Sequence, residues 1–494
     1  VRLRSISEVW EKFYGQIVFC VLLLGILLRC LHLLNFKGHY LVTADSYYFH
    51  WLVGKGDVSV ESGLVGPVYW LSKVVGVYAS EIIVPLVIFI LTFFLLYYMA
   101  KKLFGRGVAL LSALSFSLVL PSIYIGSGGY IDRDGLSIFV ILLGLTPFIL
   151  RWKPLFGIPI YTLCNILLYL TWGPLGVVIL LALLVLFAFC SIVVNWVKKK
   201  ELNKRAILYL VGLVVIVSAI FGFGFGDHLG HVFKELKDGK FDSTSEMSGI
   251  GIGGIFTYGL FLLPVILGIY SIVKLKTYRY TLFLYWFLGC LALSFLSSRI
   301  LLYALPATCI LSGTGLYYIY TLLTKNPKLV KISYALVSCI ISLLMITSLI
   351  GAYGLGGSNL VAPKYWVTAM EYLQAQDDGR VISNWGNGYW IQGLSGKIPL
   401  VSNGIRSGER DKDIELIYGA NETSIVVSII DKYSKYNVQY IVFWSGDKDK
   451  YKEVGRVYTN LFEENDSNLD GLQVIYMYID KDNPLKGIVI VKKG

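Results

Sequence analysis

Apolar runs long enough to cross a bilayer recur through most of this chain, at 17–35, 81–100, 107–125, 135–150, 155–171, 174–196, 206–225, 253–273, 280–296, 300–322 and 330–352. Lipid offers no hydrogen bonds, so a segment that spans it must pair its own backbone, and runs of this length read as transmembrane helices. Of 494 residues, 56% are hydrophobic and only 15% charged, with a mean hydropathy of +0.66. The expected fold is therefore a polytopic α-helical membrane protein with about eleven spans.

The formal net charge of +12 does not point to nucleic acid, because the basic residues collect in short segments between spans, such as Lys198, Lys199, Lys200, Lys204 and Arg205. With the N-terminus placed in the cytoplasm, the inner segments hold about twice as many Lys and Arg as the outer ones, the bias expected for that orientation. The first span reads as a retained anchor, since no small-residue cleavage site follows it. An odd number of spans then puts the C-terminal part outside, in the cell-membrane setting of a multi-pass protein. The outer segments are 36–80, 126–134 and 227–252.

All seven cysteines lie in apolar segments, which supports neither a disulfide framework nor a cysteine zinc site. His228 and His231 stand one helical turn apart, as a metal pair or as interfacial hydrogen-bonding groups. From about Tyr353 the composition turns to a mixture of charged, polar and β-branched residues. A helix at Tyr365–Ala375, strands at Arg380–Ser383 and Tyr440–Trp444, and the β-rich stretches LQVIYMYID and GIVIVKK predict an extracytoplasmic α/β domain over 353–494, after a membrane domain over 1–352.

The outer segments carry the chemistry. Asp45 stands in TADSYYFHW, Asp132 and Asp134 in SGGYIDRDG, and Glu246 in STSEM, followed by Gly249, Gly251, Gly253 and Gly254. A carboxylate near lipid is expensive unless it is paired, hydrated or bound to a cation. Oxygen donors of this kind suit a hard divalent ion, Mn²⁺ or Mg²⁺, which in turn holds phosphate. Each residue also has a plainer explanation. Asp45 and Asp134 could cap helices, Glu246 could be a solvated loop charge, and Arg299 at a span edge could snorkel to water. Tyr47, Tyr48 and Trp51 read as interfacial anchors.

Taken in order, DSYY, IDRDG, TWGP after the fifth span, STSE, SSRILLYALP and a tryptophan motif in the tail resemble the catalytic subunit of oligosaccharyltransferases, in the archaeal single-subunit style, over nearly the whole chain. The resemblance implies a GT-C-like membrane enzyme that moves an oligosaccharide from a polyprenyl (dolichyl-type) phosphate or diphosphate carrier to an acceptor asparagine in a protein, inverting the sugar carbon. It implies that Asp45, Asp132 and Asp134 ligate the metal, and that Asp45 also contacts the acceptor amide. Glu246 would close over the acceptor, and Arg299 would reach acceptor or donor phosphate.

Two departures from that family stand out. Where it carries WWDYG, this chain has NWGNG, so that Trp385 and Gly388 match while Asn384, Gly386 and Asn387 replace a tryptophan, the aspartate and the tyrosine. Asn384, Trp385, Asn387 and Gly388 would then form a neutral acceptor pocket, or the segment is only a glycine-rich turn. The second departure is eleven spans where the family usually has thirteen. The later lysine-containing acceptor motif has no clear counterpart, Asp449 and Lys452 in DKYK reading as a solvated turn. Two further functions stay open: transfer from the same carrier to a lipid, glycan or non-sequon protein site, and a non-catalytic carrier-binding or transport protein.

Overall fold

The computed structural model describes residues 2–34, 41, 44–56, 64–131, 133–150, 152–172, 180, 262–274, 281–294, 298–325, 329–355, 362–402, 408–450, 454–464, 468–480 and 486–493. Among them, four helices are long and apolar enough to cross a membrane: Lys12–Leu34, Val77–Phe104, Leu301–Thr324 and Val330–Leu355. Four shorter apolar helices accompany them among the described residues, Arg106–Leu118, Asp134–Ile149, Leu155–Leu170 and Leu262–Ile272. The expected spans at 174–196, apart from Leu180, and 206–225 lie outside the described residues, as does the first part of the span expected at 253–273.

The membrane part begins with α1 (Arg2–Cys30), and continues through α2 (Ala44–Lys55), α3 (Val65–Val75), α4 (Val77–Phe104), α5 (Arg106–Leu118), α6 (Leu120–Ile125), α7 (Asp134–Ile149) and α8 (Pro154–Trp172). After the undescribed region come α9 (Leu262–Lys274), α10 (Thr281–Ser294), α11 (Leu305–Thr324) and α12 (Val330–Leu355). Helices α9 and α11 pack backbone to backbone. A Cβ on Gly268 would strike the carbonyl of Leu311, and one on Gly315 the carbonyl of Pro264, so small residues set this crossing. The expected span at 300–322 opens instead with a 3₁₀ turn, Ser298–Ala304.

The span expected at 107–125 is two helices. Pro121 has no N–H, so the carbonyl of Ser117 loses its helical partner, and Val119 turns extended at φ −68°, ψ 128°. Side chains from other helices take up the freed carbonyls: Arg29 Nη2 donates to Phe116 (3.3 Å), Arg29 Nη1 reaches Ser117 (3.4 Å), and Ser348 Oγ donates to Leu118. The buried guanidinium also lies 3.5 Å from the Phe89 ring centroid. Arg29, a charged residue within the first span, thus closes a broken helix.

The C-terminal part is an α/β/α layer structure. Its sheet runs β1 (Arg380–Ile382), β2 (Val438–Trp444), β5 (Gly487–Lys493), β4 (Leu472–Ile479), β3 (Asn468–Leu469), with β1 and β2 parallel and the other pairs antiparallel. Alternate residues of the two central strands face opposite ways. Ile441, Phe443, Val489 and Val491 meet Ile414, Ile417 and Val426 of α15 (Gly408–Tyr418) and α16 (Thr423–Lys432). Tyr440, Val442, Ile488 and Ile490 meet Trp366, Met370 and Leu373 of α13 (Lys364–Gln374). That second cluster does not stop at the C-terminal part: it includes Tyr47, Phe49 and Leu52 of α2 and Val68 of α3.

Candidate active site

Residues 36–80, expected as a loop, contain α2 and α3, and α2 is the hub of the site. Asp45 lies in its first turn, where an acid suits the positive end of the helix dipole. The next residue, Ser46, is fully buried, and its Oγ accepts the Ile131 N–H at 3.1 Å. Ile131 immediately precedes Asp132, so the sequence neighbours of the first two expected metal ligands touch.

Asp134 is the first residue of α7 and is buried; Tyr130 OH donates to its Oδ2 at 3.3 Å. Arg133 occupies the N-cap position, so Asp134 is not the capping residue. The loop leading to it is held from α1, from the 3₁₀ turn Leu31–Leu34 that follows it, and from α4. Gly128 N–H donates to the Arg29 carbonyl and its own carbonyl meets His32 Nε2 at 2.8 Å, while Gly129 N–H donates to the Glu81 carbonyl at 3.1 Å. Gly129 sits at φ +85°, which a side chain would strain. His50, one turn after Ser46, donates from Nδ1 to Oε1 of the fully buried Glu81 at 2.8 Å.

On its other side α2 carries the C-terminal domain. Tyr47 is fully buried against Trp390, with ring centroids 6.3 Å apart, and its hydroxyl accepts the Ala362 N–H at 3.1 Å. Burial pushes the Tyr47 phenol up from its ordinary value, so it stays a neutral hydroxyl. Tyr48 stacks on Tyr389 at 4.7 Å. A Cβ on Gly393 would stand 2.5 Å from the Tyr47 carbonyl, so α14 (Gly388–Ser395) meets α2 at backbone distance. Tyr47 and Tyr48, expected as interfacial anchors, are domain contacts instead, because the C-terminal domain supplies the aromatic partners.

Helix α14 grows directly out of the NWGNG segment, which forms a 3₁₀ turn, Trp385–Asn387. Both asparagines are buried and used within the domain. Asn384 Oδ1 accepts the Gly386 N–H at 2.9 Å, and Asn387 Nδ2 donates to Asp447 Oδ2 at 2.7 Å. Asp447 is itself fully buried and also accepts the Tyr418 hydroxyl at 3.0 Å. Gly388 has no room for a side chain: a Cβ would lie 2.6 Å from the Val401 carbonyl. Asn384 and Asn387, expected to line an acceptor pocket, thus spend these side-chain atoms on shaping the turn. A buried carboxylate does stand beside the turn, delivered by the Ser445–Lys450 turn after β2, two residues before the Asp449 that spacing singled out.

Among the described residues no group of three His, Cys, Asp or Glu side chains converges. Asp132 and Glu246 lie outside those residues, and of Arg299 and Trp385 only the backbone is described, each at the start of a 3₁₀ turn or one residue into it. Oxygen donors from the first turns of α2 and α7, with their flanking residues hydrogen-bonded, fit a hard divalent ion better than zinc. Glu81, His50, Arg29, His32 and Asp447 escaped sequence reading. Glu81 and Arg29 left a signal, as charged residues inside apolar runs.

Neither a protein-family model nor a curated protein sequence matches the chain. Solved structures do. The apo crystal structure of the Archaeoglobus fulgidus oligosaccharyltransferase is similar at a TM-score of 0.67 and 14% identity, over 89% of this chain and 70% of that one. The same archaeal protein in complex with an inhibitory peptide and a dolichol-phosphate gives 0.64 at 15% identity, over 89% and 70%. ArnT from Cupriavidus metallidurans bound to undecaprenyl phosphate gives 0.57 at 12% identity, over 97% and 98%. The likeness is one of fold. This chain shares the GT-C architecture of these membrane proteins.

Proposed function

We propose that this protein transfers an oligosaccharide from a polyprenyl phosphate or diphosphate carrier to an asparagine side chain of an acceptor protein, with inversion at the sugar carbon. One observation carries the reading. Helix α2, which bears Asp45, is hydrogen-bonded through Ser46 to the loop that leads into Asp132 and Asp134, and is packed through Tyr47 and Tyr48 against the helix that follows the NWGNG turn. Segments far apart in the chain, each singled out for its chemistry, share one helix. The likeness in fold to proteins solved with dolichol-phosphate and with undecaprenyl phosphate supports the same donor class.

In this reading Asp45, Asp132 and Asp134 hold Mn²⁺ or Mg²⁺. When bound, the ion supplies positive charge to the donor phosphate. Asp45 and Glu246 hold the acceptor amide, whose delocalised lone pair makes it a poor nucleophile, against the sugar carbon. The amide nitrogen forms a bond to that carbon as the carbon–oxygen bond to phosphate breaks. The electron pair leaves on phosphate, where Arg299 stabilises it, and the amide proton passes to a carboxylate. The turn at Asn384–Gly388 meets the acceptor through Trp385 and its backbone, with Asn384 and Asn387 holding its shape.

A second acceptor class is favoured by Gly386, which stands where the resembled motif has its aspartate and so removes a charge-assisted acceptor worth roughly 1.5–3 kcal/mol. Purified full-length protein is to be incubated with a polyprenyl diphosphate-linked oligosaccharide, Mn²⁺ and an Asn-X-Thr peptide, with mass-spectrometric detection. The reading predicts glycopeptide, abolished by chelation and lowered at least about 100-fold in Asp45→Asn. Transfer only to lipid or glycan acceptors selects the second class, and no transfer to any acceptor overturns both.

A further inference from the structure

Glu81 is a two-ended link between the segments that carry the carboxylates. It lies in the first turns of α4, and Pro85 follows four residues later inside the same helix. Because proline has no N–H, the Glu81 carbonyl is left without its helical donor. The Gly129 N–H takes that place at 3.1 Å, anchoring the loop that leads to Asp132 and Asp134. At the other end the Glu81 carboxylate, fully buried, accepts His50 Nδ1–H at 2.8 Å, anchoring the Asp45 helix. A buried carboxylate is expensive to keep, and an ordinary helix-packing residue would not need a proline four positions on.

We propose that Glu81, with His50 and Pro85, is a positioning unit that sets the spacing of Asp45 against the Asp132–Asp134 loop. It touches neither donor nor acceptor and acts through Gly129 and His50. The inference rests on the metal-centred reading above, but its first readout does not. Pro85→Ala restores a helical N–H that competes for the Glu81 carbonyl while improving helix propensity. A purely structural proline would give a protein at least as stable and otherwise unchanged.

The test measures amide hydrogen exchange by mass spectrometry and Mn²⁺ affinity by calorimetry on purified full-length protein. Pro85→Ala is expected to speed exchange in peptides covering residues 126–131 without lowering Tm. Glu81→Ala, His50→Ala and Pro85→Ala are each expected to weaken Mn²⁺ binding about tenfold, as loss of an outer-shell partner does. Glu81→Gln, which keeps an oxygen for His50, retains most of the affinity. The Glu81→Ala/His50→Ala double variant is no weaker than either single one, since both remove one contact. Unchanged exchange and unchanged Mn²⁺ affinity in all variants, with binding still lost in Asp45→Asn, would overturn the unit and leave the function intact. Wild-type protein that binds no Mn²⁺ would overturn the metal-centred reading and this inference with it.

Discussion

Gly393 decides how closely the C-terminal domain approaches the Asp45 helix, since its missing Cβ would meet the Tyr47 carbonyl at 2.5 Å. Gly393→Ala is expected to destabilise the protein by about 1–3 kcal/mol, as overpacking does, and to open the Tyr47–Trp390 contact to proteolysis. Scanning calorimetry and limited proteolysis check this. Asp447 is the second decisive residue. Asp447→Ala leaves the Asn387 amide and the Tyr418 hydroxyl without their shared acceptor, at about 1–3 kcal/mol for each group stranded. Chemical denaturation should report that loss, and peptide affinity should fall with it, while Mn²⁺ affinity should not. Sequence reading singles out Asp45 and Asp134 because a carboxylate near lipid is expensive wherever it stands. It missed Asp447 and Glu81 because their meaning lies in partners that are 60 and 31 residues away and share no pattern with them.

Among elements, the break between α5 and α6 is the most instructive. The hydropathy of 107–125 reads as one span, and Pro121 alone does not say whether a helix kinks or stops. What makes a stop tolerable is supplied from α1 and α12, through Arg29 and Ser348, and nothing local to 107–125 records it. Arg29→Met is therefore expected to leave the Phe116 and Ser117 carbonyls unmet and to lower detergent-solubilised thermal stability. Pro121→Ala in the same chain should recover part of the loss by returning an N–H to Ser117. A double-variant thermal series tests this, with equal and additive losses counting against the account. The terminal strands were easier to read. GIVIVKK and LQVIYMYID lie as adjacent strands because an alternating or continuous β-branched run between polar ends is a strong local signal.

At the scale of the whole molecule, one apolar cluster runs from the sheet of the C-terminal domain through α14 into α2 and α3. The two parts of the chain are thus packed as one body at the place where the chemistry is expected, and the aromatic run YYFHW after Asp45 is the seam. Sequence alone made that run an interfacial belt, because aromatic residues at the edge of a span serve lipid and protein partners equally well. The central claim is that Asp45 on this seam's helix and the carboxylates of the loop hydrogen-bonded to it share one divalent ion. Electron paramagnetic resonance of Mn²⁺ added to purified full-length protein tests it most directly. The account predicts a bound-Mn²⁺ signal in wild-type protein that is lost in Asp45→Asn and equally in Asp134→Asn. A signal that survives both substitutions would contradict it.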